Sequence, residues 1–212
     1  MTLLYLVRHG ETDWNRQRRI QGATDIALNE LGRQQALAAA ELLSRRHFDA
    51  VYASPLQRAF DTGAIIASHL GLPSPTIAPR MIERSYGEAE GMTFDEVEAS
   101  FPDGAPVPGR ESRTALLERV ESALLEIAAS CTGQVVVVAT HGAVIRAIVN
   151  HVAPEQDANA GVPIRNGSIH SFQVVDGALS LVAFDDPIEV MSEAAGRYAF
   201  GYQNALENRA DA

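Results

Sequence analysis

Two apolar runs in this chain lack any alternation: Leu3-Leu4-Tyr5-Leu6-Val7 near the start, and Val135-Val136-Val137-Val138-Ala139 far beyond it. A strand with one wet face alternates apolar and polar residues. A run that is apolar throughout belongs to a strand covered on both faces, as in a parallel sheet. A third run, Ala50-Val51-Tyr52-Ala53-Ser54, has the same character. Between the runs, apolar and small residues recur at helical spacing, first at Ala36, Ala39, Ala40 and Leu43, then at Ala59, Thr62, Gly63, Ile66 and Leu70. Further helices are expected over 112–130, where Leu116, Val120, Ala123 and Ile127 share a face, and directly after His141. Asp176-Gly177, between two strand-like stretches, reads as a hairpin turn. Strand and helix alternate, which predicts an α/β fold of three layers: a mostly parallel mixed sheet with helices on both faces. With 212 residues, one such domain accounts for the whole chain, 1–212.

The first and last of these runs end alike, in Arg8-His9-Gly10 and Thr140-His141-Gly142. Open α/β sheets gather ligands at the carboxyl ends of their strands, so the two imidazoles are expected to face each other there. The third run ends in Ser54-Pro55-Leu56-Gln57-Arg58. That reads as a helix start with Ser54 as N-cap, Pro55 in the first position and Gln57 completing a capping box. Arg58 then falls in the first turn, where free N–H groups and a guanidinium favour an anion. Guanidinium groups beside imidazoles repel a dication, attract a dianion and hold His9 neutral by charge repulsion. Two histidines, two arginines and a nearby carboxylate therefore favour phosphoryl transfer to an imidazole over metal binding.

Composition supports an arginine-lined site. All 17 basic residues are Arg, with no Lys, against 27 acidic residues and a net charge of −10. Nucleic acid is a disfavoured partner, and lysine Schiff-base or P-loop chemistry is excluded. No segment approaches the ~20 apolar residues of a membrane span, so no membrane partner is expected. Cys131 is the single cysteine, which rules out an internal disulfide and a paired-cysteine metal site. With no basic region ahead of its first apolar run, the chain reads as cytoplasmic. The stretch 84–110 is rich in Gly and Pro and reads as a lid or substrate-specificity segment. Residues 187–212 read as a C-terminal helix or tail. His47, His69 and His151 are expected to be solvated and His170 structural, with Asn166 and Ser168 supporting the site from behind. Trp14 either lines the mouth of the site or packs beneath the loop.

Six motifs resemble those of the histidine phosphatase superfamily, which includes cofactor-dependent phosphoglycerate mutases and many small phosphatases. They are "LVRHGETDWN" at 6–15, "QGATDIALNELGRQQA" at 21–36, "VYASPLQRAFDT" at 51–62, "ERSYGEAEGM" at 83–92, "RESRTALLERV" at 110–120 and "VVVVATHGAVIRAI" at 135–148. The resemblance implies a phosphorylated nucleophile at His9, with Arg8, Arg58 and His141 completing the phosphate pocket. It implies a general acid and base at Glu83, and phosphate-proximal positions at Asn15, Gln21 and Gly22. Substrate specificity would fall to Trp14, Arg84, Tyr86, Arg110 and Arg113. The implied activity is a phosphatase acting on a small phosphorylated metabolite, with no metal and no cofactor. Mutase activity is the alternative: "ERSYGEAEG" is similar to the mutases' version of this motif. The mutases, however, carry a longer insertion with a basic pair, whereas the segment here is short and holds the acidic Glu88, Glu90, Asp95, Glu96 and Glu98. A non-catalytic phospho-ligand binding module is the remote alternative, and whether the chain forms a homodimer is open at this level.

Overall fold

The computed structural model describes residues 1–154 and 162–186. The strands are β1 (Thr2–Arg8), β2 (Ala50–Ala53), β3 (Thr76–Ile77), β4 (Val135–Thr140), β5 (Ile169–Val175) and β6 (Ala178–Ala183). They form one sheet in the order β3-β2-β4-β1-β5-β6. The first four are mutually parallel, while β5 runs antiparallel to β1 and β6 antiparallel to β5. The helices are α1 (Asp13–Arg16), α2 (Glu30–Leu43), α3 (Gln57–His69), α4 (Phe94–Ser100), α5 (Arg113–Ser130) and α6 (Gly142–Val152).

The unbroken apolar runs are explained by where their alternate residues go. Leu4, Leu6, Val136 and Val138 pack on one face with Leu116, Val120, Leu124, Val144 and Ile148 from α5 and α6. Tyr5, Val7, Val51 and Val137 pack on the other with Ala39, Ala40 and Leu43 of α2 and Ile66 of α3. Both faces are dry, and the three-layer expectation holds. The hairpin turns at Asp176 and Gly177, with φ of 50° and 78°. Those angles match the left-handed pair that a two-residue type I′ turn requires.

Residues 84–110 do not form an open loop. They carry α4 and a separate apolar cluster in which Tyr86, Ala89, Val97 and Val107 enclose Ile20. The expected helix or tail at 187–212 lies outside the described residues. Among the described residues no helix is long and apolar enough to cross a membrane.

Candidate active site

The parallel pairing of β1 with β4 sets Arg8 opposite Thr140. His9 and His141 are the next residues along, and their rings meet edge to face with centroids 5.3 Å apart. The His9 N–H donates to the Thr140 carbonyl at 2.9 Å, and the Arg8 N–H to the Ser168 carbonyl at 3.0 Å. The end of β1 is thus held from both sides. Gly10 lies hard against the Gly32 carbonyl at the start of α2, where any Cβ would collide. A glycine is required there for close approach rather than for backbone freedom.

The hydrogen bonds of His9 determine its tautomer. Nδ1 lies 2.7 Å from the Gly10 carbonyl, which can only accept, so the ring proton sits on Nδ1. Nε2 keeps its lone pair and accepts from Arg58 Nε–H at 3.3 Å. Burial holds the His9 pKa well below the ordinary histidine value, with the Arg58 and Arg8 charges adding to the effect. His141 is depressed as well, by burial first and Arg58 next, then by His9, Arg8 and Arg119. Its Nε2 is 2.7 Å from Ser54 Oγ, and its Nδ1 is buried with no hydrogen-bond partner among the described residues.

That contact corrects the reading of Ser54. The helix begins at Gln57 with Leu56 in the cap position and no side-chain cap. Ser54 Oγ faces His141 at 2.7 Å and accepts only a long bond, 3.4 Å, from the Leu56 N–H, while the Gln57 N–H is taken by Asp25 Oδ1 at 2.8 Å. Arg58 is still in the first turn, fully buried, its pKa pushed down to about 10 chiefly by that burial.

Around Nε2 lies a cleft of about 440 Å³, counting the space open to solvent, lined by Arg8, His9, Asn15, Arg19, Ile20, Gln21, Gly22, Arg58, Glu83 and Tyr86. Three guanidinium groups face one carboxylate there, a balance of +2 in a chain of net −10. Such a lining concentrates an anion and opposes a divalent cation. Asn15 Oδ1 accepts from the Thr12 N–H and from Asn166 Nδ2, and Gln21 Oε1 accepts from Thr12 Oγ1. The amide nitrogens of Asn15 and Gln21 are therefore left as donors toward a ligand. Glu83 sits opposite, its Oε1 accepting from the Arg84 N–H at 2.9 Å and its Oε2 from the Ala143 N–H in the first turn of α6 at 3.3 Å.

The profile of the histidine phosphatase superfamily (branch 1) matches residues 4–187. The chain belongs to this superfamily. This histidine phosphatase is 37% identical over 186 residues to phosphoglycerate mutase-like protein 4 of Arabidopsis thaliana, spanning 82% of this chain and 80% of that one. It is also 37% identical over 188 residues to a metal-independent phosphoserine phosphatase of the same plant, spanning 83% and 78%. A mycobacterial glucosyl-3-phosphoglycerate phosphatase solved in complex with VO3 superposes with a TM-score of 0.75 at 30% identity, spanning 86% of this chain and 98% of that one.

The residues expected to set specificity are dispersed in this histidine phosphatase. Tyr86 lines the cleft. Arg84 and Arg110 stack on the Tyr86 ring, 5.7 and 5.6 Å from its centroid, and do not line the cleft. Arg84 also donates through Nε to the Glu111 carbonyl. Trp14 is half-buried against Gly91, and Arg113 is exposed at the start of α5. Asn166 supports His9 directly, donating to its carbonyl at 2.9 Å. His170 is buried between Ser168 Oγ and the Asp185 N–H, its pKa lowered by burial to about 3.

Three residues at or around the site had no role assigned from sequence, although two of them, Glu90 and Arg119, fall inside the motifs at 83–92 and 110–120. Arg19 lines the cleft, Nη1 donating to the Gly91 carbonyl at 2.6 Å. Arg119 reaches from α5 to the carbonyls of Ile82 (2.8 Å) and Glu83 (3.2 Å) while paired with Glu111. Glu90, counted from sequence as part of an acidic segment, turns inward onto backbone N–H groups. Nothing in one sequence separates such residues from surface charges, because the groups that fix them at the site, Gly91 for Arg19, Ala23 for Glu90 and Glu83 for Arg119, lie 36 to 72 positions away.

Proposed function

We propose that this protein hydrolyses a small phosphorylated metabolite in the cytoplasm through a phosphohistidine at His9, without a metal or other cofactor. The observation that carries the reading is the His9 tautomer: Nδ1–H is spent on the Gly10 carbonyl and Nε2 keeps a lone pair in a cationic cleft. Buried cations beside a neutral imidazole suit a dianionic electrophile. The names of the phosphoserine and glucosyl-3-phosphoglycerate phosphatases it resembles support a phosphate ester as substrate.

In the first half-reaction His9 Nε2 attacks phosphorus, and the N–P bond forms as the P–O ester bond breaks. Arg8, Arg58 and the amides of Asn15 and Gln21 stabilise the charge on the phosphoryl oxygens, with His141 completing the pocket. The departing alkoxide takes a proton from the Glu83 carboxyl. In the second, Glu83 as carboxylate removes a proton from water, the resulting hydroxide attacks phosphorus, the N–P bond breaks and inorganic phosphate leaves. Tyr86, held by Arg84 and Arg110, is the part of segment 84–110 assigned to the rest of the substrate. The segment is short and its two basic residues, Arg84 and Arg110, are stacked on Tyr86 instead of lining the cleft, so no basic pair faces the site to retain an intermediate for re-transfer, which favours hydrolysis over mutase activity.

The test is phosphate release from an aryl phosphate in EDTA, followed by a phosphometabolite panel scored for release against isomerisation. The wild type is expected to release phosphate, and His9→Ala to lose on the order of 10³-fold or more in rate. Full activity in that variant, strict dependence on added metal, or isomerisation without net release overturns the reading.

A further inference from the structure

One carboxylate joins both walls of the cleft. Glu90 Oε1 accepts from the N–H groups of Ala23 and Tyr86, each at 3.0 Å. Its Oε2 accepts from the Thr24 N–H at 2.9 Å and the Thr24 hydroxyl at 2.5 Å. Ala23 and Thr24 continue the wall begun by Gln21 and Gly22, and Tyr86 stands in the other. Gly22 has φ +53°, and a Cβ there would collide with the Glu90 carboxylate.

The same loop holds Arg58 from its other side. Arg58 Nη2 donates to the Gly22 carbonyl at 2.7 Å and Nη1 to the Thr24 carbonyl at 2.8 Å, which directs Nε–H at His9 Nε2. The Gly22 carbonyl and the Ala23 N–H belong to a single peptide group. That group is planar and trans, so its C=O and N–H point in opposite directions and turn together. Glu90 grips one end of it and Arg58 the other.

We propose that Glu90 is a positioning residue: through the 22–23 peptide it sets the direction of Arg58, so the guanidinium meets the phosphoryl group only when segment 84–110 is seated on the loop. The proposal rests on the phosphatase reading for its catalytic consequence, but the link from Glu90 to Arg58 is a property of the protein alone. Glu90→Gln keeps the shape of the side chain while setting an NH2 group against N–H donors, which releases the peptide.

Two measurements on the full chain test this. In protein labelled with 15N-arginine, the Arg58 Nε–H resonance is identified by its loss in Arg58→Gln. In the wild type it is expected to be protected from exchange, and in Glu90→Gln to move to the position of a solvated arginine. In kinetics, Glu90→Gln is expected to lower kcat on the order of 10²-fold with KM far less changed. In an Arg58→Gln background the same substitution is expected to add nothing, because the two residues act as one unit. An unmoved Arg58 resonance, or an equal loss of kcat in both backgrounds, overturns the proposal. If Glu90→Gln fails to fold, Glu90→Asp, which withdraws the carboxylate by one methylene, is read in the same way. If the wild type hydrolyses no phosphate ester, the functional reading fails while the resonance still decides the role of Glu90.

Discussion

Burial removes more of His9's basicity than either guanidinium group does, while the bond to the Gly10 carbonyl restores some. From sequence, Arg8 beside His9 suggests repulsion alone; the larger cause depends on packing by Thr140, Asn166 and Thr62, which no local pattern reveals. The distinction has a measurable consequence. A lowered pKa keeps Nε2 unprotonated as pH falls, so an NMR titration of the His9 ring is expected to show its midpoint well below the ordinary 6.5. Arg58→Gln deletes one repelling charge and leaves the burial, so the midpoint is expected to rise but to stay under 6.5. A wild-type midpoint at 6.5, or a full return to it in Arg58→Gln, would show that burial is not the main cause.

At the scale of elements, the strands and long helices were legible because each is written as a periodicity: dry runs for β1, β2 and β4, and i, i+3, i+4 spacing for α2, α3 and α5. The start of α3 was not. Ser54-Pro55-Leu56-Gln57 satisfies a local capping pattern, but a buried imidazole takes the shorter bond to the hydroxyl, and Asp25, 32 positions from Gln57, supplies the acceptor for the Gln57 N–H. The two residues of β3 are too few to show any period. The placement of Glu83 follows the same rule. Arg119, from the middle of α5, holds the carbonyls that precede and include Glu83, with Glu111 fixing its guanidinium at 2.6 Å. A lysine keeps the charge but not the planar fork. Arg119→Lys is therefore expected to lower kcat on the order of tenfold and to cost about 1–3 kcal/mol of stability. Steady-state kinetics and urea unfolding check both, and a change in KM alone would contradict the assigned contact.

For the whole molecule, His9, His141 and His170 are all buried with lowered pKa values. Below pH 6.5 the unfolded chain takes up protons that the folded one refuses, so stability is complete above that value and falls as the solution is acidified. Each such histidine contributes a slope of about 1.4 kcal/mol per pH unit. For His170 the loss runs from 6.5 down to about 3. Urea unfolding between pH 7.5 and 5 is expected to show this decline. His170→Gln is expected to be less stable at pH 7.5 yet to lose stability less steeply on acidification; an unchanged slope would mean His170 does not titrate in this way. The net charge of −10 was plain from composition, but the +2 balance of the cleft was not, because it depends on which arginines the fold gathers.

The position of β1 has a consequence in time. Its hydrogen-bonding partners are β4 and β5, whose paired residues lie more than 130 positions further along. Contacts so distant in sequence form slowly, since a long loop must close before they stabilise anything. On a ribosome, the strand that carries Arg8 and leads into His9 emerges well before β4 and β5 and waits, apolar on both faces, until both have followed. Nascent chains of this protein are therefore expected to need shelter by chaperones, and to acquire an ordered catalytic pocket only once β4 and β5 have emerged.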